Sequence, residues 1–160
     1  MPILSIFLSR LSQKRILMEG VTQRDIVLAS LAAAGGDNYQ PVQIQKLIFL
    51  FQKRALKMDI FHFIPYDYGP FDPAVYVQLD ELSQEGMVEI EGQPFLRQRK
   101  YRLSKEGETS AQNLLASLPD NEVEYLKRLS KWIRSLSFAE LVGAIYESYP
   151  EMRANSVFRG

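Results

Sequence analysis

The chain has no cysteine and a single histidine, His62. The first absence removes disulfides, thiol nucleophiles and Cys-ligated zinc. The second leaves no His-rich metal site and no two-histidine relay within one chain. No apolar run approaches the roughly 20 residues that span a bilayer, and the apolar stretch 2–8 is too short for a secretory core. Net charge is also missing, with 19 Lys plus Arg against 19 Asp plus Glu. A globally basic nucleic-acid binder is therefore disfavoured, although a local basic patch is not. There is no nucleotide-binding glycine loop, P-loop or metalloprotease helix. These absences argue against an enzyme, and neither a cofactor nor a metal is expected. No membrane partner is expected, and residence in the cytoplasm is the default.

What is present is ordinary for a folded chain. Of 160 residues, 46% are hydrophobic and 24% charged, enough apolar material for a core and against intrinsic disorder. The charge is not evenly spread. Residues 71–91 hold Asp72, Asp80, Glu81, Glu85, Glu89 and Glu91 without a cation. Residues 92–105 hold Arg97, Arg99, Lys100, Arg102 and Lys105 without an acid. Neutrality thus hides an acidic block followed directly by a basic one. Residues 1–20 carry Arg10, Lys14 and Arg15 against Glu19. That extension reads as an additional packing helix, or as an upstream start before Met18, with a transit peptide or membrane-surface helix as the other reading.

Punctuation along the chain predicts the elements. Thr22 caps a helix over 22–34 that Gly35-Gly36 stops. Pro41 opens a second, 41–57, with an apolar stripe of Ile44, Leu47, Ile48, Phe51 and Ala55. Lys46, Lys53 and Lys57 fall on its other side, ordinarily a solvated face. Ile60 to Tyr68 reads as a short or edge strand because of Pro65, and Gly69-Pro70 as a turn. Asp72 and Pro73 cap a third helix to about Glu85, with Val75, Tyr76, Leu79 and Leu82 inward. Met87–Ile90 and Lys100–Leu103 read as a hairpin. Further helices are expected over 105–117, with Gly107 a weak point, 120–134 and 138–148, the last ended by Pro150. The predicted class is mainly α with a small β-hairpin (α+β). A winged-helix core spans 21–104, and C-terminal helices over 105–160 pack on it as one domain.

Four stretches carry a family likeness: KLIFLFQKRA (Lys46 to Ala55), FHFIPYDYGPFDPAVYVQLDELSQEGMV (Phe61 to Val88), YRLSKEGE (Tyr101 to Glu108) and LVGAIYESYPEMRANS (Leu141 to Ser156). Together they resemble the YwgA-like and Panacea (SocA-like) winged-helix proteins, the YwgA-like more closely, over residues 22–156. The resemblance implies a winged-helix fold and a setting among toxin–antitoxin and phage-defence genes; it implies no reaction. Its most specific piece, the turn Tyr68-Gly69-Pro70-Phe71 with the cap Asp72, has a physical basis. Glycine permits close approach, proline fixes the next angle, and the aromatics bury large areas. Tyr146, Tyr149 and Pro150 would likewise end the last helix and turn aromatics inward. Were the aromatics exposed instead, they would mark a partner groove.

The residues weighed for chemistry have simpler readings. His62 is read as a structural histidine. Asp67 and Asp72 could flank a hard metal, but capping explains Asp72. Two functions remain. A protein-interaction module, antitoxin-like or defence-associated, would present Gln78, Asp80, Glu81, Gln84 and Glu85 to a toxin-like or regulatory partner, or to a second copy in a homodimer. The alternative is a DNA-binding transcriptional regulator using the wing (Arg97, Arg99, Lys100, with Arg102) and the second helix (Lys46, Lys53, Lys57) to neutralise phosphates. An acidic third helix without a cation opposes major-groove docking. The basic run Lys127, Lys131 and Arg134 is read as a solvated helix face.

Overall fold

The computed structural model describes residues 20–56, 58–92 and 95–160. The expected N-terminal helix and Lys57 lie outside the described residues. The elements are α1 (Gln23–Ala32), α2 (Pro41–Phe51) continuing as a π turn (Gln52–Leu56), β1 (Ile64–Tyr66), β2 (Gly69–Phe71) and α3 (Pro73–Gln84). There follow β3 (Val88–Glu91), a 3-10 turn (Leu96–Gln98), β4 (Lys100–Leu103), α4 (Lys105–Ser117), α5 (Asp120–Ser135), α6 (Phe138–Ser148) and a closing 3-10 turn (Pro150–Arg153).

The helix starts follow from short polar side chains that accept from exposed backbone amides. Thr22 and Ser137 form reciprocal capping boxes with Asp25 and Glu140, and Asp72 and Ser104 cap α3 and α4. Burial on Ile26, Leu31, Ile44, Leu47, Ile48, Val75, Leu79 and Leu82 joins α1, α2 and α3 into one core. Phe49 sits in it with its ring edge-on to Phe63 and Tyr149, at 5.4 and 4.9 Å between centroids.

The chain is a winged helix in its element order. β3 and β4 pair antiparallel, Val88 opposite Leu103 and Ile90 opposite Tyr101. Tyr39, between α1 and α2, adds a third rung: its amide and carbonyl exchange hydrogen bonds with those of Tyr101, each 2.9 Å. The order is therefore helix, bridge, helix, β1–β2 ribbon, helix, strand, wing, strand. The Tyr39 hydroxyl donates inward to Ser30 O at 2.8 Å and meets Ser130 Oγ, tying α5 to the core.

Three expectations need correction. The second α-helix ends at Phe51 and not near 57; residues 52–56 form a π turn. The side chain of Gln52 then reaches across to accept from the amides of Ile60 and Phe61 and to donate to Phe61 O. Gly69 and Pro70 are not a turn but lie in β2, paired with Tyr66 and Pro65; the chain reverses at Asp67 and Tyr68. Both prolines fit because a two-stranded ribbon has free edges. Gly107 is no weak point. A Cβ there would stand 1.9 Å from Met87 O, so the close approach of α4 to the start of the wing requires glycine.

Candidate functional site

Lys46 does not lie on a solvated basic face. It is 3% exposed. The helical pattern places it opposite the main stripe, but α2 is packed on several sides, by α1, α5, α6 and β2. The β1–β2 ribbon covers the face that periodicity leaves open. Lys46 Nζ donates to Pro70 O at 3.3 Å, its only hydrogen bond among the described residues. Burial without a carboxylate partner lowers its pKa from 10.5 to about 7.

This amine lines a cavity of about 430 Å³. Tyr66, Tyr68, Phe71, Tyr76 and Phe138 contribute aromatic walls; Gln40, Gln45, Asp67 and Arg97 contribute polar groups. The floor is set by Gly69, whose φ of +102° is open to glycine. A Cβ there would meet Tyr146 Cε1 at 3.4 Å and Lys46 Cε at 3.6 Å. Tyr146 is held in turn by donating to Ser156 Oγ at 2.6 Å. On the far wall Gln45 Nε2 donates to Asp72 O at 2.9 Å while Gln45 Oε1 accepts from Asp72 N at 3.1 Å. That two-way clamp fixes the start of α3 against α2. The Asp72 carboxylate accepts from the amides of Ala74 and His62. Asp72 is thus spent on capping, and the His62 side chain is exposed. Burial pushes the Tyr76 hydroxyl up, with Tyr101 beside it adding to the effect.

The rim is apolar and open. Tyr66, Tyr68 and Phe138, which line it, are between 41% and 48% exposed. Tyr66 stacks on Phe71 at 4.9 Å, and Tyr68 meets Phe138 edge-on at 5.0 Å. Large exposed aromatics converging on one cavity are what mark interaction sites on soluble domains. In the Tyr68-Gly69-Pro70-Phe71 motif, then, the glycine and proline are buried and Phe71 partly so, while Tyr68 faces solvent. Tyr149 packs on Phe49, and Pro150 is exposed.

Some of the residues expected to bind partners through charge are engaged in ion pairs. Arg99 Nη1 is 3.4 Å from Asp80, Arg24 is 2.6 Å from Glu85, and Arg102 is 2.6 Å from Glu89 and 3.9 Å from Glu91. The carboxylate and hydrogen bond of Glu89 raise the pKa of Arg102. One ion pair, Arg99 with Asp80, thus links the wing to the acidic helix, while Glu85 pairs with α1 and Arg102 pairs across the hairpin. Glu81, Gln84, Lys100 and Arg97 are exposed; Gln78 is half-buried. Lys53 is exposed with its ammonium 5.9 Å from the Phe49 ring centre. Of the C-terminal cations, Lys127 and Lys131 are exposed and Arg134 pairs with Asp37 at 2.7 Å. In addition, α2 and α3 are not joined by the tight turn of a DNA-reading helix-turn-helix. The connection runs from Gln52 to Asp72 and contains the whole β1–β2 ribbon.

Among the described residues, no cluster of three or more His, Asp or Glu side chains is placed to hold a metal, and no helix is long and apolar enough to cross a membrane. No protein-family model matches the chain, and no curated protein matches it. Among solved structures, that of a mutant MarR from E. coli is similar at a TM-score of 0.40 and 18% identity, over 91% of this chain and 91% of that one.

Proposed function

We propose that the chain is a non-enzymatic winged-helix interaction module. It would be antitoxin-like or defence-associated, in line with its resemblance to the YwgA-like and Panacea proteins, and would act in the cytoplasm. Its docking face is the aromatic rim and cavity under β1–β2, and its occupant is a segment of a protein partner. One observation supports this most: the exposed aromatics converge on a cavity, whereas Asp80 and Glu85 of the acidic surface are already paired with Arg99 and Arg24. Aromatic anchors at the centre of an interface commonly contribute about 2 kcal/mol or more each.

The test is capture of the purified product of an adjacent gene. Replacing Tyr66 and Tyr68 together by Ser is expected to weaken capture by more than about 30-fold. Reversing Asp80, Glu81 and Glu85 to Lys is expected to change it far less. The opposite ranking would move the interface to the acidic helix. The DNA-binding alternative retains Arg97, Lys100 and Lys53 as exposed cations without a carboxylate partner among the described residues. Titration with random and native-operon DNA at several salt concentrations decides it, because phosphate contacts must appear in the salt slope. Our reading expects no salt-dependent binding.

A further inference from the structure

We propose that the cavity is built to receive a carboxylate, supplied by an Asp or Glu side chain of the partner that is flanked by apolar residues. This rests on the docking reading above and adds the chemistry that the docked segment must carry.

Lys46 sets the chemistry of the cavity. Lys46 is buried, lines the cavity and, among the described residues, its amine has a single neutral partner, Pro70 O at 3.3 Å. An ammonium there without a counterion is unfavourable, and desolvation brings its pKa to about 7. The charged groups lining the same cavity are Asp67 in the β1–β2 turn and Arg97 in the wing, of opposite sign. The titratable tyrosines lining it are Tyr66, Tyr68 and Tyr76. Among the described residues the lining thus has one cation more than it can balance whenever Lys46 is protonated. An entering carboxylate supplies the missing counterion and forms a charge-assisted hydrogen bond in a shielded site. The aromatic rim meanwhile accepts apolar neighbours on the same segment. An incoming cation would face Lys46 and Arg97 and is disfavoured.

Proton linkage gives this a signature. A carboxylate stabilises the ammonium form, so binding takes up a proton when the free site is neutral. Affinity is then constant well below pH 7 and falls as pH rises above the Lys46 pKa of about 7, by up to about tenfold per pH unit.

The full chain, labelled for NMR, is titrated with the blocked tripeptide Phe-Glu-Phe, its Phe-Gln-Phe counterpart and 3-phenylpropionate. The expected result is that the Glu peptide shifts the signals of Tyr66, Tyr68 and Gly69 and binds about tenfold or more tighter than the Gln peptide. That preference should weaken from pH 7 to pH 9 and vanish in both Lys46→Met and Lys46→Gln. Equal affinity for the two peptides, or a preference that survives in the Lys46 variants, overturns the carboxylate proposal and leaves aromatic docking standing. Binding of 3-phenylpropionate as tight as the Glu peptide assigns the site to a free acid and also overturns it. No shift at the cavity with either peptide overturns this proposal and the docking reading together.

Discussion

Lys46→Met should stabilise the protein, and by an amount that depends on pH in a calculable way. In the folded chain Lys46 has a pKa of about 7 against an ordinary 10.5. Between those two values the unfolded chain holds one more proton than the native chain. Stability therefore rises with pH across that window, with a slope of about 1.4 kcal/mol per pH unit. Below it both states are protonated and the native state bears the full cost of a buried, unpaired ammonium, on the order of 5 kcal/mol. Methionine fills a similar volume without a charge. The variant should then be more stable at pH 7 by several kcal/mol, and the advantage should shrink to about 1 kcal/mol by pH 10. Urea unfolding of both proteins from pH 6 to pH 10 measures this as a difference, so tyrosine titrations common to both cancel. A pH-independent difference would refute the buried-ammonium reasoning, as would a variant less stable than the parent at pH 7.

Further expectations concern the scaffold. Gly107→Ala, which helix propensity alone would favour by about 1 kcal/mol, should instead destabilise by about 2 kcal/mol or more, because its Cβ would fall 1.9 Å from Met87 O; thermal melts of the variant check the sign. Tyr39→Phe should cost about 1–3 kcal/mol, because Ser30 O loses its hydroxyl donor and Ser130 Oγ keeps only Arg134, with urea unfolding as the measure. The Tyr39 hydroxyl is pushed up to about 12 by burial, partly offset by Ser130 and Arg134, against an ordinary 10.0. Its contribution is complete below pH 10 and is lost as pH rises through 12, so the parent should lose stability there faster than Tyr39→Phe.

Much of the fold is legible in the sequence because it is written in local chemistry. Thr22, Pro41, Asp72-Pro73, Ser104 and Ser137 mark helix starts through caps that need only neighbouring residues. The wing follows from alternation and a glycine turn. What was not legible depends on contacts far apart in the chain. The Tyr39 bridge is a single residue whose partner lies in β4. The ribbon at 64–71 contains two prolines and no apolar alternation, and its pairing is visible only once Tyr66 faces Gly69. Lys46 looks solvated because helical periodicity describes one face at a time and cannot register a ribbon laid over the other. Gln45 and Gln52 look like ordinary surface amides, yet each satisfies backbone groups of the segment that builds the cavity. The one usable signal was the density of aromatics from Phe61 to Tyr76, which identifies the region but not which rings face solvent. Likewise the opposed charge blocks are plain in sequence, while their pairing through Arg99 and Arg102, and that of Glu85 with Arg24 of α1, requires the fold.

Amide hydrogen exchange on the full chain, with and without the purified product of an adjacent gene, tests the central claim most directly. Our account predicts added protection concentrated at Ile64–Phe71 and around Phe138, with α3 and the wing little changed. Protection confined to α3 and the wing, whether from that protein or from DNA, would contradict it.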